Sequence, residues 1–396
     1  MRPTTTFFLL ASITTAFMAS SSAPTPLYAL YQAQWGFSAA TIAVIFGVYA
    51  LAVLLALLVA GRLSDHVGRR PVLLVATAAQ AATMLLFVVA DGLATLLAAR
   101  VVQGLITGAA MGAVGAGLLD LDKQRGSVAN AVAPPIGTAS GAMLAGLMVQ
   151  GLPMPTQLVY LVLAGVFLAQ FVGVWRMSET VVPRAGAWAS LRPTMRVPVA
   201  ARASMMLAIP VLVATWALAG FYASLAPAVA KGMLGSESSL LGGLMLFVLG
   251  VSASIAILVL HRREPQWLLR VGSGALIAGV FITIAAMSRH DVVTFFVGSA
   301  IAGAGFGAGF QGAIRSVVSV VAPHERAGVL SVAYIVSYLA MGLPAIIAGS
   351  MVTHGAPLLL VARDFGVVVM ALAAIALAGS LSVTAPRELW RRRTAE

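Results

Sequence analysis

The chain has 396 residues, of which 60% are apolar and only 9% charged, against the roughly 25% charged residues of a domain that faces water. The net charge of +12 is dispersed between apolar runs, which excludes a basic nucleic-acid-binding face and points to membrane orientation instead. With no cysteine in the sequence, disulfides, thiol nucleophiles and thiolate metal sites are excluded as well.

Crossing the hydrocarbon takes ~20 apolar residues in a helix, and the runs here are continuous rather than alternating, so a barrel is ruled out. Read in order, the spans fall at 7–29, 39–60, 71–90, 93–119, 127–149, 156–176, 204–227, 240–260, 268–287, 292–318, 328–352 and 365–384. The fold class is therefore an all-α membrane protein of twelve transmembrane helices. Met1, Arg2 and the run up to Ser20-Ser21-Ser22-Ala23 resemble a secretory signal. Phe7 to Tyr28 is already long enough to cross, however, and is read as the first span.

The longest gap is 177–203, holding Arg184, Arg192, Arg196 and Arg202 beside three prolines. It divides the chain into an N-terminal six-helix bundle (1–176), a cytoplasmic connector (177–203) and a C-terminal bundle with a cytoplasmic tail (204–396). If the N-terminus is cytoplasmic, the opposite loops hold only Lys231, Arg289 and Arg363 of the 24 basic residues. That asymmetry follows the positive-inside rule, places both termini in the cytoplasm and supports an even number of spans. A repeat at an offset of 201 pairs Pro26 with Pro227, Ser38 with Ser239, Arg125 with Arg326 and Gly141 with Gly342. Two parallel six-helix halves related by pseudo-two-fold symmetry are expected, with a substrate site between them at the midplane.

Between spans two and three runs Gly61-Arg62-Leu63-Ser64-Asp65-His66-Val67-Gly68-Arg69-Arg70. Gly61 and Gly68 allow a tight reversal, Pro71 opens span three without losing a needed donor, and Asp65 among four cations predicts a charge network. This segment resembles the Gly-x-Leu-x-Asp-x-x-Gly-Arg-Arg loop signature of the major facilitator superfamily, with His66 where arginine is usual. The resemblance implies that Asp65 faces the start of span eleven, where a helix N-terminus favours an anion. In that superfamily the contact holds the outward-open state.

Span four carries Leu96, Arg100, Gln103 and Gly104, which resemble the family's second signature, Leu-x-x-x-Arg-x-x-Gln-Gly. A cation inside a span normally faces the bundle interior or a cavity. Arg100, Gln103 and Thr107 share a helix face and are expected to be a cavity-facing trio, the competing reading being a hydrogen-bond anchor. In span five, Gly137, Gly141 and Gly146 look like a decayed antiporter signature with Ala142 in place of proline. The same small residues equally well mark close helix packing. Span ten repeats glycine at 303, 305, 307 and 309, ahead of Gln311 and Arg315. Further cavity candidates are Ser21 and Tyr28 in span one, Trp216 and Tyr222 in span seven, Gln311 in span ten, and Tyr334 and Tyr338 in span eleven, although aromatics also anchor and pack spans.

All twelve acidic residues and all five histidines lie away from the span centres. Proton-driven carriers usually hold such a group at membrane depth, so protons remain only a candidate coupling ion, with Asp364 the nearest far-side group. Asp120 and Asp122 are expected to pair with Arg69 or Arg70. A weakly polar, aromatic cavity with one arginine suits a neutral or anionic amphiphile. The expected activity is therefore export of a small molecule by a secondary carrier, resembling bacterial multidrug and metabolite exporters. An importer or facilitator of a sugar or organic acid is the alternative in the same fold, and an integral membrane enzyme a distant one. Neither Lys123 nor Lys231 sits in a phosphate-binding loop, which disfavours an ATP-driven pump. No cofactor, metal or nucleic acid is expected, and the setting is a bacterial inner membrane with the protein as a monomer.

Overall fold

The computed structural model describes residues 1–193, 195–234, 239–322 and 325–382. Among the described residues there is no strand, and sixteen helices follow in order. The first half holds α1 (Pro3–Ser22), α2 (Tyr28–Trp35), α3 (Ala39–Ala60), α4 (Ser64–Val67), α5 (Arg69–Val88), α6 (Leu93–Leu121), α7 (Lys123–Gly151) and α8 (Leu158–Trp175). A short α9 (Ala187–Ser190) follows, and then α10 (Val199–Ser224), α11 (Ala226–Leu234), α12 (Ser239–Leu260), α13 (Pro265–Arg289), α14 (Val292–Val318), α15 (Arg326–Thr353) and α16 (Leu358–Ser382). Twelve of these are long and apolar enough to cross a membrane, and they form two six-helix halves. The acidic residues Glu237, Glu388 and Glu396, and the tail beyond Ser382, lie outside the described residues.

The repeat reappears as matched interruptions. The first span is not one helix over 7–29, because Pro24 and Pro26 lack the N–H that would continue it, so α1 stops at Ser22 and α2 resumes at Tyr28. Pro227, in the first turn of α11, does the same, and the chain breaks between α10 and α11 at Leu225. Start signals are local. Ser38 caps α3 by accepting from Thr41 N–H, and Asp122 caps α7 by accepting from Gln124 and Arg125 N–H at 2.9 Å. Asp291 caps α14 through Thr294, and the Thr294 hydroxyl and N–H bonded to its carboxyl hold it below the ordinary aspartate range. The last span starts at Leu358 rather than at 365. Arg363 and Asp364 neutralise each other at 3.0 Å in the second turn of α16, so the helix need not stop for them.

Each half packs its own apolar core. Because twelve spans return the chain to its starting side, α1 begins and α16 ends at one face, here the terminal face; the other is the far face. The halves touch mainly along α3 with α15 and α7 with α12. These seams run from mid-membrane to the far ends: Gly250 lies against Pro135 and Ala139, Gly243 against Ala142, and Gly47 against Ile346. At the far end, Ala40 N–H donates to Thr353 Oγ1 at 3.0 Å. Phe46, Ala50 and Ala142 of the first half are buried within the core of the second. Among the described residues the two halves are thus in contact out to the far face.

Candidate functional site

The break in α1 creates a local need. Pro24 cannot donate to the Ser20 carbonyl, and the Thr25 N–H turns to Ser22 O at 3.0 Å instead of Ser21 O. Two carbonyls are thereby orphaned at membrane depth, where water cannot satisfy them. α6 supplies the missing donors. Gln103 Nε2 donates to Ser20 O at 2.9 Å, and Arg100 Nη1 to Ser21 O at 2.9 Å and Gln103 Oε1 at 2.7 Å. Arg100 Nε donates to the Tyr28 hydroxyl at 3.1 Å, and Nη2 reaches the same oxygen. Aromatic rings of Tyr49, Tyr28 and Phe87 surround the guanidinium at 5.2, 5.6 and 5.9 Å, a favourable setting for a desolvated cation.

Arg100, Gln103 and Thr107 are each 0% exposed. The expected cavity-facing trio is thus closed in this conformation: Arg100 and Gln103 are a cap for a proline-broken helix, and Thr107 is buried beside them. Tyr28 is buried with them, and Ser21 Oγ bonds back to Met18 O. Ser299 is the eighth residue of α14, as Arg100 is the eighth of α6. In the second half, then, a neutral pair, Tyr222 with Ser299 Oγ at 2.5 Å, occupies the corresponding place. Tyr222 is buried within its own half.

The other aromatic candidates do converge. Trp216 of α10, Phe310 of α14 and Tyr338 of α15 cluster, with Trp216 5.7 Å from Phe310 and 4.8 Å from Tyr338 between ring centroids. Gln311 follows Phe310, and Tyr334 lies one turn before Tyr338; all five side chains are half-buried. Trp216 Nε1 and Gln311 Oε1 are sealed from solvent and have no hydrogen-bond partner. Tyr49, across the seam, is an electrostatic neighbour of Tyr338. Sequence reasoning missed Tyr49 and Phe310. A tyrosine and a phenylalanine in apolar runs carry no signal of which face they occupy.

In the loop at the terminal face, Asp65 pairs with Arg69 at 2.5 Å, and Arg69 pairs with Asp120 at 3.2 Å and donates to Ser64 Oγ at 2.7 Å. The charge network is present, but among the described residues the ion pair of Asp65 is with Arg69 and not with the start of α15. The beginning of α15 instead approaches the connector, Gly328 lying against Arg196. Glu179 of the connector accepts from the N–H groups of Arg69 and Arg70 at 2.9 and 3.1 Å, capping α5. His66 Nδ1 lies 3.0 Å from Ala185 O. The Arg70 guanidinium is held by Trp175 O rather than by a carboxylate. Gly68 adopts φ +102°, open to glycine. Gly61 does not: its φ is −58°, and its role is close packing, since it crosses Gly112 of α6.

Gly137 and Gly141 bring α7 against the backbone of α1 at Thr15 and Ala19, and Gly146 is buried on the same helix. In α14, Gly303 and Gly307 meet α12 while Gly305 meets α13. Among the described residues no cluster of three or more histidines or acids could hold a metal ion.

A family model described as Major Facilitator Superfamily matches residues 9–345. No curated protein matches the sequence. Solved structures that resemble it include the nucleoside transporter NupG, at 12% identity and a TM-score of 0.71 over 96% of this chain and 98% of that one. A bacterial homologue of the human lysosomal transporter Spinster, inward-facing and unoccupied, is similar at 14% identity with a TM-score of 0.74, covering 96% and 97%. Its inward-facing, occupied form gives 14% and 0.71 over 96% of each chain. At such identities the likeness is one of fold.

Proposed function

Because the chain belongs to the Major Facilitator Superfamily, and so is a multi-pass membrane transporter of small molecules rather than an enzyme, we propose that it is a secondary exporter working by alternating access. The bundles at 1–176 and 204–396 rock about the α3/α15 and α7/α12 seams, with 177–203 as the connector. The observation that carries this reading is the pair of opposite ends: a far face closed at Ala40 and Thr353, and an Asp65 turned to Arg69 at the terminal face. Residues Gly61, Asp65, Gly68, Arg69 and Arg70 act as the conformational switch. Asp65 moves to the start of α15 when the terminal face closes.

The surplus of arginine on the terminal side supports placing both termini in the cytoplasm of a bacterial inner membrane. The cavity then loads from the cytosol. The remnant of an antiporter signature at Gly137, Gly141 and Gly146 supports export, the weakly polar aromatic spans support a neutral or anionic amphiphile as its substrate, and protons are the candidate coupling ion of a monomer. The alternative, an importer or facilitator of a sugar or organic acid, is favoured by Ala142 in place of that signature's proline. Purified protein in proteoliposomes of known orientation, assayed across a compound panel with and without an imposed pH gradient, tests both. Gradient-driven accumulation on the far side supports export. Gradient-independent equilibration, or accumulation on the terminal side, removes it.

A further inference from the structure

We infer that the substrate is an uncharged, flat aromatic molecule bearing both a hydrogen-bond acceptor and a donor, held by the second half at Trp216, Gln311 and Tyr338. This rests on the central-cavity reading above and narrows its substrate class. Buried polar groups are spent differently at the broken helix of the first half and at the aromatic cluster of the second. In the first, Arg100, Gln103, Ser20, Ser21 and Tyr28 satisfy one another around the broken helix, so its one membrane-depth cation already has all its contacts. An anionic substrate reaching it must break that cap. Among the described residues the spans offer no free carboxylate to a cation either, since the acids sit at helix ends and in loops, and Asp364 is paired with Arg363.

Unpartnered buried atoms occur in the first half too, at Gln80, Thr107 and Gln170, but at the aromatic cluster of the second half a donor and an acceptor are left open together. Trp216 Nε1 is a donor and Gln311 Oε1 an acceptor; both are desolvated and neither has a partner. The hydroxyls of Tyr334 and Tyr338 make no hydrogen bond within the described protein. A desolvated polar atom left unpaired costs about 1–3 kcal/mol, and a site of this type rejects ligands that cannot restore the bond. The rings of Trp216, Phe310 and Tyr338 surround these atoms with flat apolar surface, which favours a planar ligand. Gln311 is neutral, so it satisfies a donor without selecting a charge.

Benzamide, benzoate and benzamidinium are near-isosteric and differ in charge, which makes them a direct probe. Full-length protein in lipid nanodiscs, measured by equilibrium dialysis without any gradient, should bind benzamide at least tenfold more tightly than either ion. Trp216→Phe, which keeps the ring and removes the donor, and Gln311→Leu should each weaken benzamide binding roughly tenfold. Trp175→Phe, at an exposed tryptophan, should leave it unchanged. Equal or tighter binding of either ion, absence of benzamide binding, or benzamide affinity unaltered by the Gln311 and Trp216 variants overturns the proposal. If Trp216→Phe fails to fold, Gln311→Leu alone decides. Since the assay needs no flux, a protein that exports but shows no charge preference fails this inference and not the export reading.

Discussion

Arg100 brings a full positive charge to membrane depth, and what keeps it there is the shortage of hydrogen bonds that Pro24 creates in α1. Its fork fills two roles at once, capping the Ser21 carbonyl and orienting Gln103 onto Ser20. Removing it leaves buried acceptors without donors, so Arg100→Ala should destabilise the folded protein by roughly 2–5 kcal/mol. A thermal melt in detergent checks this, and an unchanged melting temperature would mean that the cap is dispensable. Lysine, a point charge without the fork, should restore stability only in part. Asp65 belongs to a different class. Half-exposed, it pairs among the described residues with Arg69, and that buried guanidinium keeps Asp120 and the Ser64 hydroxyl as partners when Asp65 is neutralised, so Asp65 contributes little to the fold. Asp65→Asn should therefore cripple transport while leaving membrane insertion and the melting temperature intact; wild-type flux in the purified variant would end its role as a switch.

Among the elements, the helices that interlock most closely do so through glycine. α7 rests on α1 at Gly137 and Gly141, where an added Cβ would meet the backbone of Thr15 and Ala19. Gly141→Val has no flexible side chain to displace and must push two helices apart, at a cost of roughly 1–3 kcal/mol. Reduced yield of folded protein and a lower melting temperature are the expected result, with stability equal to wild type as the contrary one. Such small residues had two equally good readings in the sequence, signature or packing, because both need the same absence of a side chain. The neighbour that resolves this, α1, is over 110 residues away in the chain, as the Ser22 to Thr138 contact shows. The glycine run of α14 is explained in the same way, by alternate contact with α12 and α13.

At the scale of the whole molecule the mechanism depends on the seam. The absence of native cysteine makes a direct test simple. Ala40 and Thr353 meet across the far ends of α3 and α15, close enough for engineered cysteines to be joined on oxidation. The Ala40→Cys/Thr353→Cys pair should cross-link readily, lose transport on oxidation and regain it on reduction. Undiminished flux in the fully cross-linked protein would show that the far face need not open.

The number of spans, their alternation across the membrane and the two-fold repeat were legible in the chain itself. They depend on local quantities: the length of an apolar run, the placement of arginine beside it, and prolines that stop a helix wherever they occur. Which side chains face the cavity was not. A helix in lipid is apolar all round, so hydrophobic periodicity, which sorts inside from outside in water, is silent there. Arg100 read as a cavity residue or a hydrogen-bond anchor and acts as a cap in this conformation; Trp216, Gln311 and Tyr338 stood among the cavity candidates on equal terms with Tyr222, and they gather in one cluster, where Trp216 and Gln311 have unmet hydrogen bonds. Only the packing of one half against the other, built from contacts far apart in sequence, decided between those roles.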